Sequence, residues 1–146
     1  MYKRILLAYD GSATGQQALL DCRDIANLAQ AELFLIAVRP PATAFIGGEE
    51  AGIYDPEREK EEEKQYQGIF ADGLKRLSEL GRPAQGELVV GDAVDEITRY
   101  AKRIAADLVV VGHKHLEGWA ARWWRGSVSK SLIAQSPCSV LVVITR

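Results

Sequence analysis

The stretch from Gly112 to Ser129 contains residue types that suit a phosphate group. It begins with a glycine at the end of a buried apolar run, where a missing side chain lets the backbone approach a ligand closely. It ends in Gly126-Ser127, which opens a helix, and a helix amino terminus offers free N–H groups and a positive dipole end to an anion. Lys114, Arg122 and Arg125 add positive charge. Many α/β proteins share these features, so alone they do not identify the ligand.

Asp10 and Val38 are further candidates, because each stands at the end of another apolar run. The Asp10 carboxylate could accept hydrogen bonds from a ribose or an adenine, or help to hold a metal. Its structural alternative is a cap or turn residue before the first helix. In open parallel sheets, ligands bind outside the carboxyl ends of the strands where the strand order reverses. We therefore expect any ligand pocket to lie near Asp10, Val38 and Gly112.

Histidines and tryptophans stand out between Gly112 and Gly126. His113 and His115 could clamp a metal, but two histidines are too few for a structural zinc site, and we predict no metal site. The spacing of Trp119 and Trp123 puts them on one face of a short helix, which favours a lid packed on the domain or on a dimer partner. Tryptophan is also enriched in protein interfaces, so Trp119, Trp123 and Trp124 form a candidate partner surface. Stacking on a ligand base is the alternative.

Composition excludes several classes of function. The 146 residues carry a formal charge of −2 with both signs mixed along the chain, which does not suggest nucleic-acid or membrane-surface binding. No apolar run approaches the roughly 20 residues of a membrane span. Met1 leads straight into a strand-like run, so we expect no signal peptide and a cytoplasmic protein. Cys22 and Cys138 are then expected to be reduced core residues, since neither belongs to a C-x-x-C pair.

Short apolar runs that lack polar alternation predict strands buried on both faces, as in a parallel sheet covered by helices. These predicted strands are Ile5–Tyr9, Leu33–Val38, Leu88–Val90, Leu108–Val111 and Val140–Ile144.

Helix signals separate these runs. Thr14 with Gln17 resembles a capping box, and Asp55 and Asp92 are predicted N-caps of the second and third helices. Gly126-Ser127 opens a fourth helix. We expect the apolar residues of that helix to face inward, namely Val128, Leu132 and Ile133.

The alternation predicts one doubly wound α/β domain over residues 1–146, a five-stranded parallel sheet with helices on both faces. Periodicity permits both the flavodoxin-like strand order 2-1-3-4-5 and the order 3-2-1-4-5. The connection from Arg39 to Asp55 is long for a compact domain, which is typical of functional or mobile loops.

The whole chain resembles the universal stress protein family. The resemblance rests on the opening Arg4–Ser12, on Val90-Gly91-Asp92, on Asp107–Gly112, and on Gly126–Ser129 leading to Ser136–Val143. It implies the order 3-2-1-4-5, a Rossmann-like fold and a homodimer in which the last strands, Val140–Ile144, meet.

Many members of that family bind ATP through a loop with glycine, two residues, glycine, nine residues, glycine, then serine or threonine. Gly112 matches the first glycine, and Gly126-Ser127 match the closing pair. Asp10 matches the acidic residue after the first strand, and Val38 the residue that lies against the adenine. The resemblance thus implies a site for ATP, with Mg²⁺ as its companion. Its candidate residues are Asp10, Val38, Gly112, His115, Arg125, Gly126, Ser127, Val128 and Ser129.

Two departures keep a second function open. His115 stands where the second glycine should be, and the stretch from Gly112 to Gly126 is one residue longer than the signature. The leading hypothesis is a stress-response protein that binds ATP and signals by occupancy, with slow hydrolysis at most, because no catalytic motif is recognisable. The alternative is a dimeric module that has lost ATP and acts through protein contacts. A phospho-receiver or flavodoxin-like carrier is a third, less supported interpretation.

Overall fold

The computed structural model describes residues 1–41, 55–114 and 128–145. Along the chain, it has strand β1 (Arg4–Ala8), helix α1 (Ala13–Ala29), β2 (Glu32–Arg39), α2 (Pro56–Glu79), β3 (Gln85–Val90), α3 (Ala93–Arg103), β4 (Leu108–Lys114), α4 (Val128–Gln135) and β5 (Ser139–Thr145). The tryptophan-rich segment lies outside the described residues, and so do four of the candidate site residues, His115, Arg125, Gly126 and Ser127.

The described strands form one parallel sheet in the order β3-β2-β1-β4-β5. This confirms the fold class and selects the 3-2-1-4-5 order over the flavodoxin-like one. The chain first winds outward from β1 through β2 to β3, then returns to β4 and continues to β5. The strand order therefore reverses between β1 and β4, and the carboxyl edge of these two strands is the switch point of the sheet.

Strand β1 is buried on both faces, as its sequence predicts. Ile5 and Leu7 pack with helices α1 and α2, while Leu6 packs with α3 and α4 on the opposite face, and all three side chains are fully buried. Successive side chains of a strand point to opposite faces, so one apolar strand supplies both layers of the core. The two-sided core explains the absence of polar alternation in β1.

Two of the predicted helix caps are confirmed and one is wrong. Asp55 accepts from the backbone N–H groups of Glu57 and Arg58, and Asp92 accepts from that of Asp95. Helix α1, however, is capped by Ser12 rather than by Thr14. Thr14 is buried inside the first turn, where its hydroxyl faces β5, and Ser12 is the residue whose Oγ accepts from the Gly15 N–H at 3.0 Å.

The fourth helix shows a second local error. Leu132 is buried as predicted, but Ile133 is 61% exposed. Adjacent residues on a helix are about 100° apart, so a helix that packs through Leu132 turns Ile133 toward solvent. Cys22, by contrast, is buried as predicted, and burial raises the pKa of its thiol to about 12.

Strand β4 is longer than its apolar run predicts. It continues through Gly112 and His113 to Lys114, and Gly112 pairs with Val143 of β5. Gly112 therefore does not end the strand, as the sequence suggested, but lies within it. A Cβ atom at this position would come within 2.8 Å of the Thr14 carbonyl oxygen. The first turn of α1 occupies the space left by this missing side chain. The predicted contact of Gly112 with a ligand stays a prediction.

Helix α2 also approaches the sheet through a glycine, and a second glycine of this helix offers a control. A Cβ at Gly73 would lie 2.7 Å from side-chain atoms of both Tyr9 and Leu35, whereas a Cβ at Gly68 would meet nothing within 4 Å. We expect Gly68→Ala to raise the free energy of unfolding by about 0.5–1 kcal/mol through helix propensity. We expect Gly73→Ala to lower it by about 1–3 kcal/mol through overpacking. Urea unfolding of both variants measures the contrast, and equal effects would contradict this account of α2.

Gly112→Ala tests whether α1 or a ligand needs this glycine. Because the new methyl group would overlap the Thr14 backbone, we expect the free energy of unfolding of the ligand-free protein to fall by about 1–3 kcal/mol. Thermal or urea unfolding without nucleotide is the measurement. Unchanged stability of the ligand-free variant would instead favour the prediction that this glycine lets a ligand approach the backbone.

Candidate functional site

The carboxyl edge of the central strands brings several candidate residues to one level. Ala8 pairs with Ile36 of β2 and with Val111 of β4. Two residues further along each chain segment stand Asp10, Val38 and His113. The edge predicted from sequence is therefore formed, and it lies at the switch point between β1 and β4.

Successive residues of β4 point to opposite faces of the sheet, so Gly112 and its neighbours Val111 and His113 belong to different faces. Val38 and Val111 belong to the core layer under α3 and α4, while the β5 partner of Gly112, Val143, belongs to the layer under α1 and α2. His113, two residues after Val111, shares the face of Val38. In the sequence, His113 is half of a two-histidine candidate for a metal clamp. Counting by two from the buried Val111 predicts that His113 lies on the face of Val38, with the chain segment of β1 between them.

Asp10 is a buried carboxylate that organises the turn after β1. It is 5% exposed, and its Oδ1 accepts hydrogen bonds from the Ser12 N–H at 3.0 Å and from the Ser12 hydroxyl at 2.6 Å. Ser12 in turn caps α1 through Gly15, and Gly11 has a left-handed φ of +78°. Asp10 is therefore a turn residue before α1, and its contact with a ligand stays a prediction. Both bonds from Ser12 go to Oδ1, and a carboxylate can accept hydrogen bonds at both of its oxygens.

Helix α2 fixes the opposite side of the same turn. The Tyr9 hydroxyl donates to Asp72 Oδ2 at 3.0 Å, and Arg76 Nε donates to the same oxygen at 2.8 Å. Burial, then the hydrogen bond to Asp72, raises the pKa of Tyr9 well above its ordinary value, so the phenol stays a donor. Ile69 side-chain atoms would lie 3.1 Å from a Cβ at Gly11. The end of β1 is thus held by α2 on one face.

The remaining candidates are placed only in part. Helix α4 begins at Val128, so the backbones of Val128 and Ser129 form its first turn, while their side chains are outside what the structure describes. The proposed contributions of His115, Arg125, Gly126 and Ser127 stay predictions. Within residues 1–41, 55–114 and 128–145, no three histidine, cysteine, aspartate or glutamate side chains are grouped to hold a metal ion.

The helices in the described ranges also bear on membrane association. None of them combines the length and the apolar character that a bilayer crossing requires.

Solved structures with the same fold include proteins that hold adenine nucleotides. A universal stress protein from Archaeoglobus fulgidus was solved in complex with dAMP; it is 18% identical, with a TM-score of 0.70 over 97% of this chain and 98% of its own. A family protein from Arabidopsis thaliana was solved with AMP bound; it is 17% identical, with a TM-score of 0.70 over 99% of this chain and 92% of its own. At these identities the likeness shows a shared fold.

Closer similarity to other proteins shows the family. A universal stress protein of Thermus aquaticus is 32% identical over 149 residues, covering 98% of this chain and 99% of its own, and universal stress protein YxiE of Bacillus subtilis is 29% identical over 148 residues, with the same coverage. A family structure from Burkholderia pseudomallei is 26% identical, with a TM-score of 0.73 over 97% of this chain and 96% of its own. The family model for universal stress proteins matches residues 1–143, and the chain therefore belongs to the universal stress protein family.

Proposed function

We propose that this chain binds an adenine nucleotide, in the form of ATP with Mg²⁺, at the carboxyl edge near Asp10 and Val38, and that it acts in a stress response through occupancy of this site. The observation that carries the proposal is the buried Asp10 carboxylate at the switch point of the sheet, level with the end of β2. Family members solved with dAMP and AMP support the choice of nucleotide.

Asp10 and Val38 would recognise the nucleoside in different ways. A carboxylate at the strand end can accept hydrogen bonds from ribose hydroxyls or from the adenine amino group. Val38 is 1% exposed, so it presents little side-chain surface at the edge. We expect Val38 to act mainly through the position of its backbone, against which the adenine ring would lie. The pre-formed turn at Asp10 reduces the ordering cost of binding.

The phosphates are assigned to the amino terminus of α4. Its first turn contains Val128 and Ser129, and a helix amino terminus stabilises negative charge through its free N–H groups and its dipole. Gly126 and Ser127 would complete this cradle, and Arg125 would add positive charge. Gly112 keeps a place at the edge, as the glycine that lets α1 pack close to β4.

The assembly proposed with this function is a cytoplasmic homodimer of single-domain chains. Strand β5 is an edge of the described sheet, and edge strands present unpaired backbone groups to a second chain. Ile144 on this strand is 56% exposed, which supports an apolar contact between the β5 strands of two chains. Trp119, Trp123 and Trp124 remain the proposed surface for a protein partner.

A nucleotide-free module is the second candidate function. His115 replaces a glycine of the ATP signature, and the loop before Gly126 is one residue longer than that signature. A side chain at position 115 could fill space needed by the phosphates. In that case the family fold would act through protein contacts alone.

Thermal unfolding with and without nucleotide distinguishes the two functions. We expect the protein, freed of co-purified ligand, to melt roughly 5–10 °C higher with Mg-ATP at ~100 times its Kd, since such a ligand adds about 2.7 kcal/mol. AMP is the second ligand, and Mg-GTP is the control for the base. Absence of any shift at millimolar ATP and AMP would favour the nucleotide-free module.

A matched pair of glycine variants locates the phosphates in the same assay. We expect Gly126→Asp to abolish the ATP-dependent rise in Tm, because it puts a negative charge beside the proposed phosphate site. Gly68→Asp introduces the same charge at an exposed position of α2, where the new Cβ would meet nothing within 4 Å beyond its chain neighbours and the nearby helix backbone, and it should keep the rise. An ATP response that survives in Gly126→Asp would refute the assignment of this loop.

His115→Gly tests whether the histidine crowds the phosphates. Restoring the glycine of the family signature should lower the Kd for ATP by about threefold to tenfold, equivalent to relief of about 1 kcal/mol of overpacking. The Kd for adenosine should change little, because adenosine has no phosphates. Titration calorimetry with both ligands measures the difference, and weaker ATP binding in the variant would show that His115 is itself a ligand contact.

A further inference from the structure

A hydroxyl pair joins the two ends of the chain beside the carboxyl edge. Thr14, in the first turn of α1, and Thr145, the last described residue of β5, have their Oγ1 atoms 2.8 Å apart, and either hydroxyl can donate. Thr14 is 3% exposed, so its hydroxyl is removed from solvent. A buried hydroxyl that loses its partner is costly, which makes this contact a strong constraint on the turn.

The turn held by this pair is the one that Asp10 organises. Asp10 binds Ser12, Ser12 caps α1 through the Gly15 N–H, and the Ser12 carbonyl accepts from the Gln16 N–H at 2.8 Å. Thr14 lies between the bonded residues of this turn. The first turn of α1 is therefore fixed from β1 by Asp10 and from β5 by Thr145.

Gly112 allows the first turn of α1 to lie close to β4 but does not fix its orientation. The Thr14 backbone sits over Gly112 of β4, where any Cβ would overlap it, so the contact lets the turn approach the sheet. Van der Waals contact with a glycine has no directional preference. The hydrogen bond between the hydroxyls of Thr14 and Thr145 has the directional preference that the glycine contact lacks.

We propose that Thr145 is a positioning residue for the carboxyl-edge site and acts through Thr14 on the turn that carries Asp10. The inference rests on the proposed function and assigns this role to a residue at the end of the edge strand. Strand β5 is thereby linked to occupancy of the site. Because coupling between two positions is reciprocal, nucleotide at the edge also stabilises the end of β5.

Two substitutions at position 145 separate the hydroxyl from the shape of the side chain. Thr145→Val keeps the shape and removes the hydroxyl, whereas Thr145→Ser keeps the hydroxyl. Thr98→Val is the matched control on α3, because Thr98 Oγ1 is buried without a hydrogen-bond partner in the described part of the chain. Thr145→Val and Thr98→Val exchange a hydroxyl for a methyl group in the same way, and of these two only Thr145→Val bears on the turn.

Hydrogen exchange of the ligand-free protein tests the positioning itself. We expect the amides of Gly15 and Gln16 to exchange about threefold to tenfold faster in Thr145→Val, as for loss of one neutral hydrogen bond. They should be unchanged in Thr145→Ser and in Thr98→Val. Unchanged exchange in Thr145→Val would overturn the inference, whether or not the protein binds nucleotide. Failure of the wild-type protein to bind ATP or AMP would instead overturn the proposed function.

Nucleotide affinity then separates positioning from general stability. Titration calorimetry with Mg-ATP should give a Kd about threefold to tenfold higher for Thr145→Val and an unchanged Kd for Thr145→Ser. In the double variant Thr14→Val/Thr145→Val, both hydroxyls are gone, so the Tm should recover because no buried hydroxyl is left unpaired. The Kd should stay raised. Recovery of affinity together with Tm would show a structural role only and would contradict the proposal.

Discussion

Ile5, Leu6 and Leu7 are completely buried because β1 has helices on both faces and a strand along each edge. A strand in this position must satisfy its backbone groups through β2 and β4, and its side chains must supply both core layers. The chain can leave such a strand only at its ends. The Asp10 turn is therefore forced to the carboxyl edge, at the point where the strand order reverses, and the position of the candidate site follows from the burial of β1.

Hydrogen bonds hold the turn after β1 in place, and the proposed ligand contact uses the same turn. The Asp10 carboxylate caps its own turn through Ser12, and Tyr9 ties the strand end to Asp72 of α2. A ligand that binds Asp10 would meet a carboxylate whose orientation is already set by hydrogen bonds. Such pre-organisation lowers the entropy cost of binding. It also means that substitutions at these residues change stability and affinity together, so that matched controls are needed to separate the two.

Helix positions determine the electrostatics of this edge. Helices α1, α3 and α4 all begin after strands of the parallel sheet, so their positive dipole ends lie at the carboxyl edge of the sheet, although α1 is on one face and α3 and α4 are on the other. Two aspartates lie at this edge. Asp10 accepts a hydrogen bond from the backbone N–H of Ser12, just before α1, and Asp92 accepts one from that of Asp95, in the first turn of α3. The same dipole ends would stabilise an anionic ligand at this edge. Its phosphates would have to lie away from the Asp10 carboxylate, because like charges repel. This separation agrees with a nucleoside near Asp10 and phosphates near α4.

The sequence alone determined the features that depend on local pattern. Apolar runs predicted every strand of the described sheet, and the Asp55 and Asp92 caps were correct because a cap bonds to residues two or three positions away. The edge near Asp10 and Val38 followed from the general geometry of parallel sheets. The strand order came from family resemblance, since periodicity permitted two orders.

Contacts between residues far apart in the chain were decided only by the tertiary structure. Thr14 looked like a cap, but its hydroxyl pairs with Thr145, 131 positions away, and Ser12 caps α1 instead. Gly112 looked like the end of a strand, but β5 extends the pairing beyond it and α1 occupies the space of its missing side chain. The helix or strand propensity of a segment depends on residues close in sequence. It does not predict which distant backbone or hydroxyl group will contact a given residue. Only packing of the folded chain sets these neighbours, and the candidate site depends on them.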